Sequence, residues 1–209
     1  MIVCEMVEKP RQRGRPRSFD PAVALDCAAQ VFWDKGFAGT SLDDLSAAMG
    51  MGRPSIYNAF GDKEALFIRA LERYRDTTGS TPLRAMDSED SIQDAVDAFF
   101  RQIVEYTTAD SSHLGCLLGS VAPVPDLPVV RRFLNKNLAE IEVQIAERLA
   151  AAVRHGQLPS DYSPEQGARR AINAMLSLNA RARLGSSREE LLGDAADATS
   201  AVLATPVGP

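Results

Sequence analysis

A helical apolar pattern interrupted by a short glycine turn is the feature that most restricts the fold of this chain. Residues 42–49 follow a helical period, Gly50-Met51-Gly52 is a tight break, and Pro54 suits the first turn of a second short helix that runs to residue 60. Three apolar residues can face the core between the two helices, namely Leu45, Met49 and Ile56. A helix, a three-residue turn and a second short helix form a helix-turn-helix. An ordinary corner between two bundle helices has the same spacing and stays open as the alternative.

The rest of the chain also carries helical spacing, and no segment shows sustained strand alternation with hairpin turns. Further helices are predicted over residues 21–35, 63–78, 91–108, 129–154, 164–184 and 187–204, with a short one around residues 114–121. The stretch 79–90, rich in Gly, Ser, Thr, Pro and acidic residues, is predicted to be a loop and the best domain boundary. The chain is therefore predicted to be all-α, with about nine helices. Its predicted parts are a flexible basic arm over residues 1–19, a three-helix helix-turn-helix domain over 20–68 and a helical domain over 69–205.

The charge of the chain is distributed unevenly. The formal net charge is −5, which by itself argues against a nucleic-acid binder because phosphate repels an acidic protein. However, residues 1–75 contain 11 basic and 10 acidic residues, whereas residues 76–209 contain 12 and 18. Five basic residues and no acid fall within residues 9–17, namely Lys9, Arg11, Arg13, Arg15 and Arg17. The acidic total therefore does not exclude a nucleic-acid partner for the N-terminal part.

The composition excludes several classes of protein. With 45% hydrophobic and 24% charged residues, the chain has the make-up of a globular protein rather than a disordered one. No apolar run approaches the roughly 18 residues that span a bilayer, and the first residues do not resemble a signal peptide. The three cysteines, Cys4, Cys27 and Cys116, lie far apart, which predicts reduced thiols in a cytoplasmic protein with no membrane partner.

Hydroxyl and carboxylate side chains mark the start of the helix at residue 42. Thr40 and Ser41 offer hydroxyls as caps, and Ser41 with Asp44 has the spacing of a capping box. Asp43 and Asp44 are adjacent and point in different directions on a helix. We interpret them as first-turn acids that suit the helix dipole, and not as a catalytic pair.

The segment from Thr40 to Phe67, TSLDDLSAAMGMGRPSIYNAFGDKEALF, resembles the signature of TetR/AcrR-type transcriptional repressors. The preceding Ala28-Ala29-x-x-Phe32-x-x-x-Gly36 resembles the first helix of that family. The likeness covers residues 20–68, while the remaining two thirds match only in helix count and length. One departure is Ala59, where the family often has His or Tyr, so a phosphate contact from there is absent or moved to Asn58.

The resemblance implies a function and a set of contacts. The protein would be a DNA-binding transcriptional regulator, a homodimeric repressor that a small-molecule ligand releases from a palindromic operator. Thr40, Ser41 and Lys63 would bind phosphates, and Tyr57 would contact a phosphate or a thymine methyl. The residues facing the major groove would be Arg53, Ser55 and Asn58. Tyr57 could instead lie half in the core and Lys63 could be merely solvated, whereas Ile56 and Phe60 are assigned to the core.

The N-terminal arm contains Arg13-Gly14-Arg15-Pro16, which has the form of an AT-hook core. Extended Arg-Gly-Arg can lie in a narrow minor groove, where A·T-rich sequence concentrates negative potential. The alternative is a basic tail that adds only non-specific affinity. In both cases Arg13 and Arg15 would contribute salt-dependent binding to DNA.

The C-terminal part is expected to dimerise and to hold a ligand. Its last two helices carry small and aliphatic residues that suit an intersubunit four-helix bundle, although the same stripe could pack inside one subunit. These residues are Ala168, Ala171, Ile172, Ala174, Met175, Leu178, Ala182, Leu191, Leu192, Ala195, Ala198 and Val202. The candidate residues lining a pocket are Phe99, Phe100, Ile103, Cys116, Leu117, Phe133, Met175 and Asn179. The polar groups that could orient a ligand are His113, Asn137, Asn179 and Arg183.

Alternative functions have little support in the residues. His113 and Cys116 have a metal-ligand spacing, but no other Cys or His lies near in sequence, so no metal or cofactor is predicted. Cys116 could be a redox thiol, yet nothing basic flanks it. An enzyme is not predicted, because no Ser/His/Asp set or glycine-rich phosphate loop occurs. A structural DNA-binding protein without an inducer and a helical small-molecule carrier remain as alternatives.

Overall fold

The computed structural model describes residues 19–109, 115–120 and 127–205. Within these ranges every regular element is helical, which confirms the prediction of an all-α chain with a helix count near nine. The helices are α1 (Pro21–Gly39), α2 (Leu42–Met49), α3 (Arg53–Phe60), α4 (Lys63–Tyr74), α5 (Thr81–Asp87), α6 (Ile92–Thr108), α7 (Leu117–Ser120), α8 (Pro128–Arg154), α9 (Pro164–Arg183) and α10 (Arg188–Leu203). The predicted arm up to residue 18, with Arg13 and Arg15, lies outside the described residues, as does His113.

The chain divides into two compact units, one up to Asp76 and one from Thr77. The division falls within a π-helical turn, Arg75–Gly79, that directly follows α4. The predicted loop over residues 79–90 is wrong, because it contains α5, which packs against α6. Pro82 and Met86 of α5 are buried, so tertiary contacts stabilise a helix of only seven residues whose composition indicates a turn.

The N-terminal unit is built around α1 and α4, which pack against each other, while α2 rests on α1 and α3 contacts both α2 and α4. Three aromatic rings fill its centre: the Phe67 centroid lies 4.6 Å from that of Phe32 and 5.1 Å from that of Phe37. At the edge of this core, Arg73 on α4 donates two hydrogen bonds of 3.0 and 3.1 Å to the carboxylate of Asp26 on α1. These contacts hold the helix-turn-helix on a rigid support.

The C-terminal unit is a layered bundle in which α9 packs against α6, α8 and α10, and α10 also packs against α6. Its core includes Phe99, Phe100 and Ile103 of α6, all of which are buried. Full burial of a side chain of this size contributes roughly 1.5–3 kcal/mol to folding. The side chain of Tyr162 extends into the core, and its hydroxyl donates a 2.6 Å hydrogen bond to the carbonyl of Val202 at the end of α10.

Candidate nucleic-acid interface and ligand pocket

The start of α2 is defined by a capping box, as predicted. The Ser41 backbone N–H donates to Asp44 Oδ2 at 2.9 Å, and the Asp44 N–H donates to Ser41 Oγ at 3.1 Å. Lys35 Nζ of α1 donates to Asp44 Oδ1 at 2.5 Å. The hydrogen bonds from Lys35 and then Ser41 hold the pKa of the Asp44 carboxyl well below its usual range. Asp44 is therefore an ionised residue that joins α1 to α2.

The turn between α2 and α3 depends on one glycine. Gly50 has φ 62° and ψ 27°, a left-handed conformation. This conformation is energetically unfavourable for any residue that has a Cβ atom. Ser46 Oγ donates a 2.5 Å hydrogen bond to the carbonyl of Met51, and the Met51 side chain is buried. Leu45, Met49 and Ile56 are also buried, which places them in the core as the sequence pattern predicted.

Helix α3 presents a continuous polar arc to solvent. At about 100° per residue, five exposed positions on either side of the buried Ile56 together cover roughly half of its circumference, while its other side is buried. The exposed residues are Arg53, Pro54, Ser55, Tyr57 and Asn58. Ile56 and Phe60 are 0% and 4% exposed, so their assignment to the core is correct. Tyr57 is 49% exposed, which argues against its alternative placement in the core.

Arg53, the only guanidinium of α3, is paired within the unit. Its Nε donates to Asp43 Oδ1 at 2.8 Å, and its Nη2 lies 2.5 Å from Asp43 Oδ2. The hydrogen bonds to Asp43 raise the pKa of Arg53. The guanidinium therefore lies at the surface in a defined orientation, as part of the exposed arc of α3.

Two side chains predicted to bind phosphate, Thr40 and Lys63, are hydrogen bonded within the N-terminal unit, and the geometry corrects the prediction for the Thr40 hydroxyl. Thr40 is 2% exposed, and its hydroxyl donates a 2.7 Å hydrogen bond to the carbonyl of Gly36. A hydroxyl has one proton, so Thr40 cannot donate to a phosphate in this conformation. Lys63 Nζ donates to the carbonyls of Phe37 and Thr40, both at 2.8 Å, and lies 4.3 Å from the centre of the Phe37 ring. Lys63 therefore joins the start of α4 to the end of α1 with two of its three N–H donors, and it is not a merely solvated side chain.

The C-terminal unit contains a pocket between α6, α8 and α9. Its cavity volume is about 90 Å³, and the empty space is about 580 Å³ when the open mouth is counted. The residues that line it are Gly79, Tyr106, Cys116, Leu118, Leu134, Asn137, Leu138, Ile141, Met175, Leu176 and Asn179. Within the described ranges, no group of three metal-ligating side chains occurs there or elsewhere.

The pocket was only partly predicted. Cys116, Met175 and Asn179 line it, as expected, and so does Asn137, which was named as a group that could orient a ligand. Five predicted residues do not line it, namely Phe99, Phe100, Ile103, Leu117 and Phe133. The first four are buried in the interior of the unit. Sequence reasoning missed Tyr106, Leu134 and Ile141, although Leu134, Leu138 and Ile141 lie at helical spacing on one side of α8.

The stripe predicted for the dimer interface packs mainly inside the subunit. Nine of its residues are buried within the single chain, which is the alternative that the sequence left open. They are Ala168, Ala171, Ile172, Met175, Leu178, Ala182, Leu191, Ala195 and Val202. The opposite sides of α9 and α10 face solvent instead, with small residues such as Ser177, Ala180, Gly193 and Ala196. No described helix is both long and apolar enough to cross a lipid bilayer.

A helix-turn-helix with a rigid support and an exposed polar second helix, combined with a separate helical unit that contains a pocket, defines a helix-turn-helix transcriptional regulator. Comparison with known proteins agrees with this class. Residues 24–70 match the tetR family of bacterial regulatory proteins, and residues 93–196 match the tetracycline repressor-like C-terminal domain.

Individual relatives extend along most of the chain. The HTH-type transcriptional repressor ComR of Escherichia coli is 29% identical over 87% of this chain and 88% of its own length. A second repressor of Escherichia coli, BdcR, is 28% identical over 94% of this chain and 97% of its own length. The structure of a cysteine mutant of the TetR family regulator CifR, complexed with 26-base-pair operator DNA, is 33% identical. It has a TM-score of 0.82 and covers 90% of this chain and 99% of its own. This chain belongs to the tetR family and is a DNA-binding transcriptional regulator.

Proposed function

We propose that this protein is a homodimeric repressor that a small-molecule ligand releases from a palindromic operator. The observation that carries the proposal is the exposed arc of α3, in which Arg53, Ser55, Tyr57 and Asn58 project from a helix whose other side is buried. Such a helix fits the major groove, where Arg pairs with guanine and Asn with adenine. Tyr57, which is exposed, is available for a phosphate contact, whereas the Ser41 hydroxyl already donates its proton to Asp44 Oδ2 at 2.7 Å. Repression, rather than activation, is supported by the names of ComR and BdcR.

The dimer is proposed to form through the outward sides of α9 and α10. Small exposed residues at helical spacing let two helices approach closely, and α10 contributes Gly193, Ala196 and Ser200. Two large apolar side chains of the α9 region are also exposed, Leu176 at 42% and Leu184 at 86%. A second copy would bury this surface and present two α3 helices to half-sites about one DNA turn apart, ~34–36 Å.

The pocket in the C-terminal unit supports ligand control. A regulator without an inducer would fill this space with its own side chains, whereas the region between α6, α8 and α9 leaves an apolar cavity. A ligand that favours one conformation of the dimer would change operator affinity through a coupling of typically 1–3 kcal/mol. We propose a regulator with no catalytic activity, acting in the cytoplasm, where its DNA partner is found.

The proposal is tested by selecting binding sites from genomic fragments with the full-length protein and measuring retardation of the selected DNA. We expect a palindromic site, bound by a dimer, with affinity that falls steeply as salt rises because phosphate contacts release counterions. A flat salt response, or selection of sites without two-fold symmetry, would contradict it. Expression of a reporter behind the selected site then separates repression from activation.

A further inference from the structure

We propose that the pocket of the C-terminal unit takes an uncharged, mainly apolar small molecule that carries one hydroxyl or carbonyl group, and that this group pairs with the carboxamide of Asn137. The inference rests on the proposed ligand control of this family member and names the chemical class of the ligand. It is argued from the residues of α6, α8 and α9 alone.

The described walls of the pocket disfavour a charged ligand. Most of the residues that line it are apolar, with Leu134, Leu138 and Ile141 from α8 facing Met175 and Leu176 from α9. Among its described lining residues none is an Asp, Glu, Lys, Arg or His. An ionised group that enters such a site loses its hydration and gains no counter-charge, which is strongly unfavourable. A neutral apolar molecule gains free energy from the same transfer.

Two of the polar groups in the pocket are already hydrogen bonded to the protein. The Tyr106 hydroxyl donates to Asn179 Oδ1 at 3.2 Å, and Asn179 Nδ2 donates to the Met175 carbonyl at 2.8 Å. Burial raises the pKa of Tyr106 well above its ordinary value, so the hydroxyl stays neutral. The Cys116 side chain is hydrogen bonded to the same hydroxyl. These contacts stabilise the wall of the pocket and leave few free hydrogen-bond donors or acceptors on these residues for a ligand.

Asn137 differs from this group. It lines the pocket from the middle of α8 and is only 6% exposed, yet its carboxamide makes no hydrogen bond with any other residue that the structure describes. The carboxamide is not one of the described side-chain groups that are sealed from water without a partner, so it opens into the pocket. A ligand that displaces water from it must supply a hydrogen bond, because an unpaired buried amide is unfavourable. The carboxamide offers both a donor and an acceptor. A hydroxyl or a carbonyl on a neutral ligand satisfies it, and this polar contact would orient the molecule in the apolar pocket.

The test uses benzyl alcohol, toluene, benzoate and benzylammonium, which share a ring and differ in polarity and charge. Their affinities for the full-length protein are measured by calorimetry, without DNA. We expect benzyl alcohol to bind at least about tenfold more tightly than either charged compound. In Asn137→Leu we expect the affinity for benzyl alcohol to fall about tenfold and that for toluene to be maintained, because only the alcohol loses a hydrogen bond.

The matched control is Asn135→Leu, the same substitution at an exposed position two residues away on α8. It should change neither affinity. If Asn137→Leu lowers the thermal unfolding midpoint, Asn137→Ala repeats the comparison with a smaller side chain. The proposal is overturned if benzyl alcohol does not bind, if benzoate or benzylammonium binds as tightly, or if Asn137→Leu weakens toluene and benzyl alcohol equally. Retardation of operator DNA in the absence of any ligand tests the regulator assignment separately, so failure of one experiment leaves the other unaffected.

Discussion

Arg53 on the exposed side of α3 and Asp43 on α2 form a two-point ion pair, with Nε–Oδ1 and Nη2–Oδ2 distances of 2.8 and 2.5 Å. Both side chains are more than half exposed, at 54% and 73%, so the pair contributes little to stability. The main consequence of the ion pair is that it orients the Arg53 side chain. The carboxylate restricts the rotamers of the one arginine on α3, and its negative charge disfavours close approach of a phosphate to the same guanidinium.

The first prediction follows from this pair. Arg53→Ala should lower operator affinity by about 1–3 kcal/mol and relax the preference for guanine at one position of each half-site. Asp43→Asn should instead strengthen binding to non-specific DNA and reduce the ratio of specific to non-specific affinity, because a free guanidinium can pair with phosphate. Retardation assays on operator and scrambled DNA at matched salt measure both effects. Glu72→Gln, an equal change of charge on the exposed side of α4, is the control, and an unchanged ratio in Asp43→Asn would contradict the role of Asp43.

The second prediction concerns the contribution of Lys63 to stability. Lys63→Met removes two charge-assisted hydrogen bonds to the carbonyls of Phe37 and Thr40 and should lower the free energy of unfolding by about 1.5–3 kcal/mol. Urea denaturation measures the loss. Lys136→Met, at a lysine that is 75% exposed and makes only a surface pair with Glu140, should cost much less. If Lys63→Met is as stable as the wild type but binds DNA more weakly, the stabilising role is contradicted and Lys63 acts as a phosphate contact.

The third prediction concerns pH. Because Lys35 and Ser41 depress the pKa of Asp44 in the folded state, its ionised form stabilises the N-terminal unit above the unfolded pKa of about 4. That contribution disappears as the pH falls toward the folded pKa. Asp44→Asn should therefore be less stable than the wild type at neutral pH, and the difference in unfolding midpoint should shrink as the solution is acidified below pH ~4. A difference that stays constant over this range would show that Asp44 acts only through its shape.

The fourth prediction tests the centre of the C-terminal unit. A Cβ added at Gly167 would lie 2.0 Å from Tyr162 Oη and 2.9 Å from Leu149 Cδ1. Gly167→Ala should therefore displace the Tyr162 hydroxyl from the Val202 carbonyl and cost about 1–3 kcal/mol in thermal or urea unfolding. Gly39→Ala, whose added Cβ meets only the Lys35 Cβ at 3.7 Å, is the control. Adding Tyr162→Phe to Gly167→Ala should cost little more, and a full second penalty would mean that the hydrogen bond survives in Gly167→Ala.

The fifth prediction tests the proposed dimer surface. Ala196→Glu places a carboxylate on the exposed side of α10 and should shift the protein toward monomer in analytical ultracentrifugation, with weaker retardation of the operator. Ala139→Glu makes the same change on the exposed side of α8 and should leave the dimer intact. Because both positions are exposed in the single chain, neither variant should unfold it. Equal dimer strength in the two variants would exclude this surface.

Local patterns were sufficient for the N-terminal unit. Ser41 with Asp44, Gly50 and the spacing of Leu45, Met49 and Ile56 define caps, a left-handed turn and a buried side, and each of these depends on residues close in sequence. The exposed positions of α3 follow from the same spacing. The pattern could not show which partners the long flexible side chains contact. Arg53 reaches an acid ten residues away, and Lys63 reaches carbonyls 23 and 26 residues away.

The sequence by itself determined the helical class, the helix-turn-helix and the residues that α3 exposes, because helix periodicity and capping are local properties. Only the tertiary structure decided which apolar residues of the C-terminal part form the core and which line the pocket. A buried Phe99 and a pocket residue such as Leu134 are equally apolar, so they differ only in whether a neighbouring helix fills the space beside them. The prediction for the small and aliphatic residues of α9 and α10 failed for the same reason. Periodicity identifies which side of a helix is buried, but only the packing of α6 and α8 shows that this side is buried within the subunit and not by a second copy.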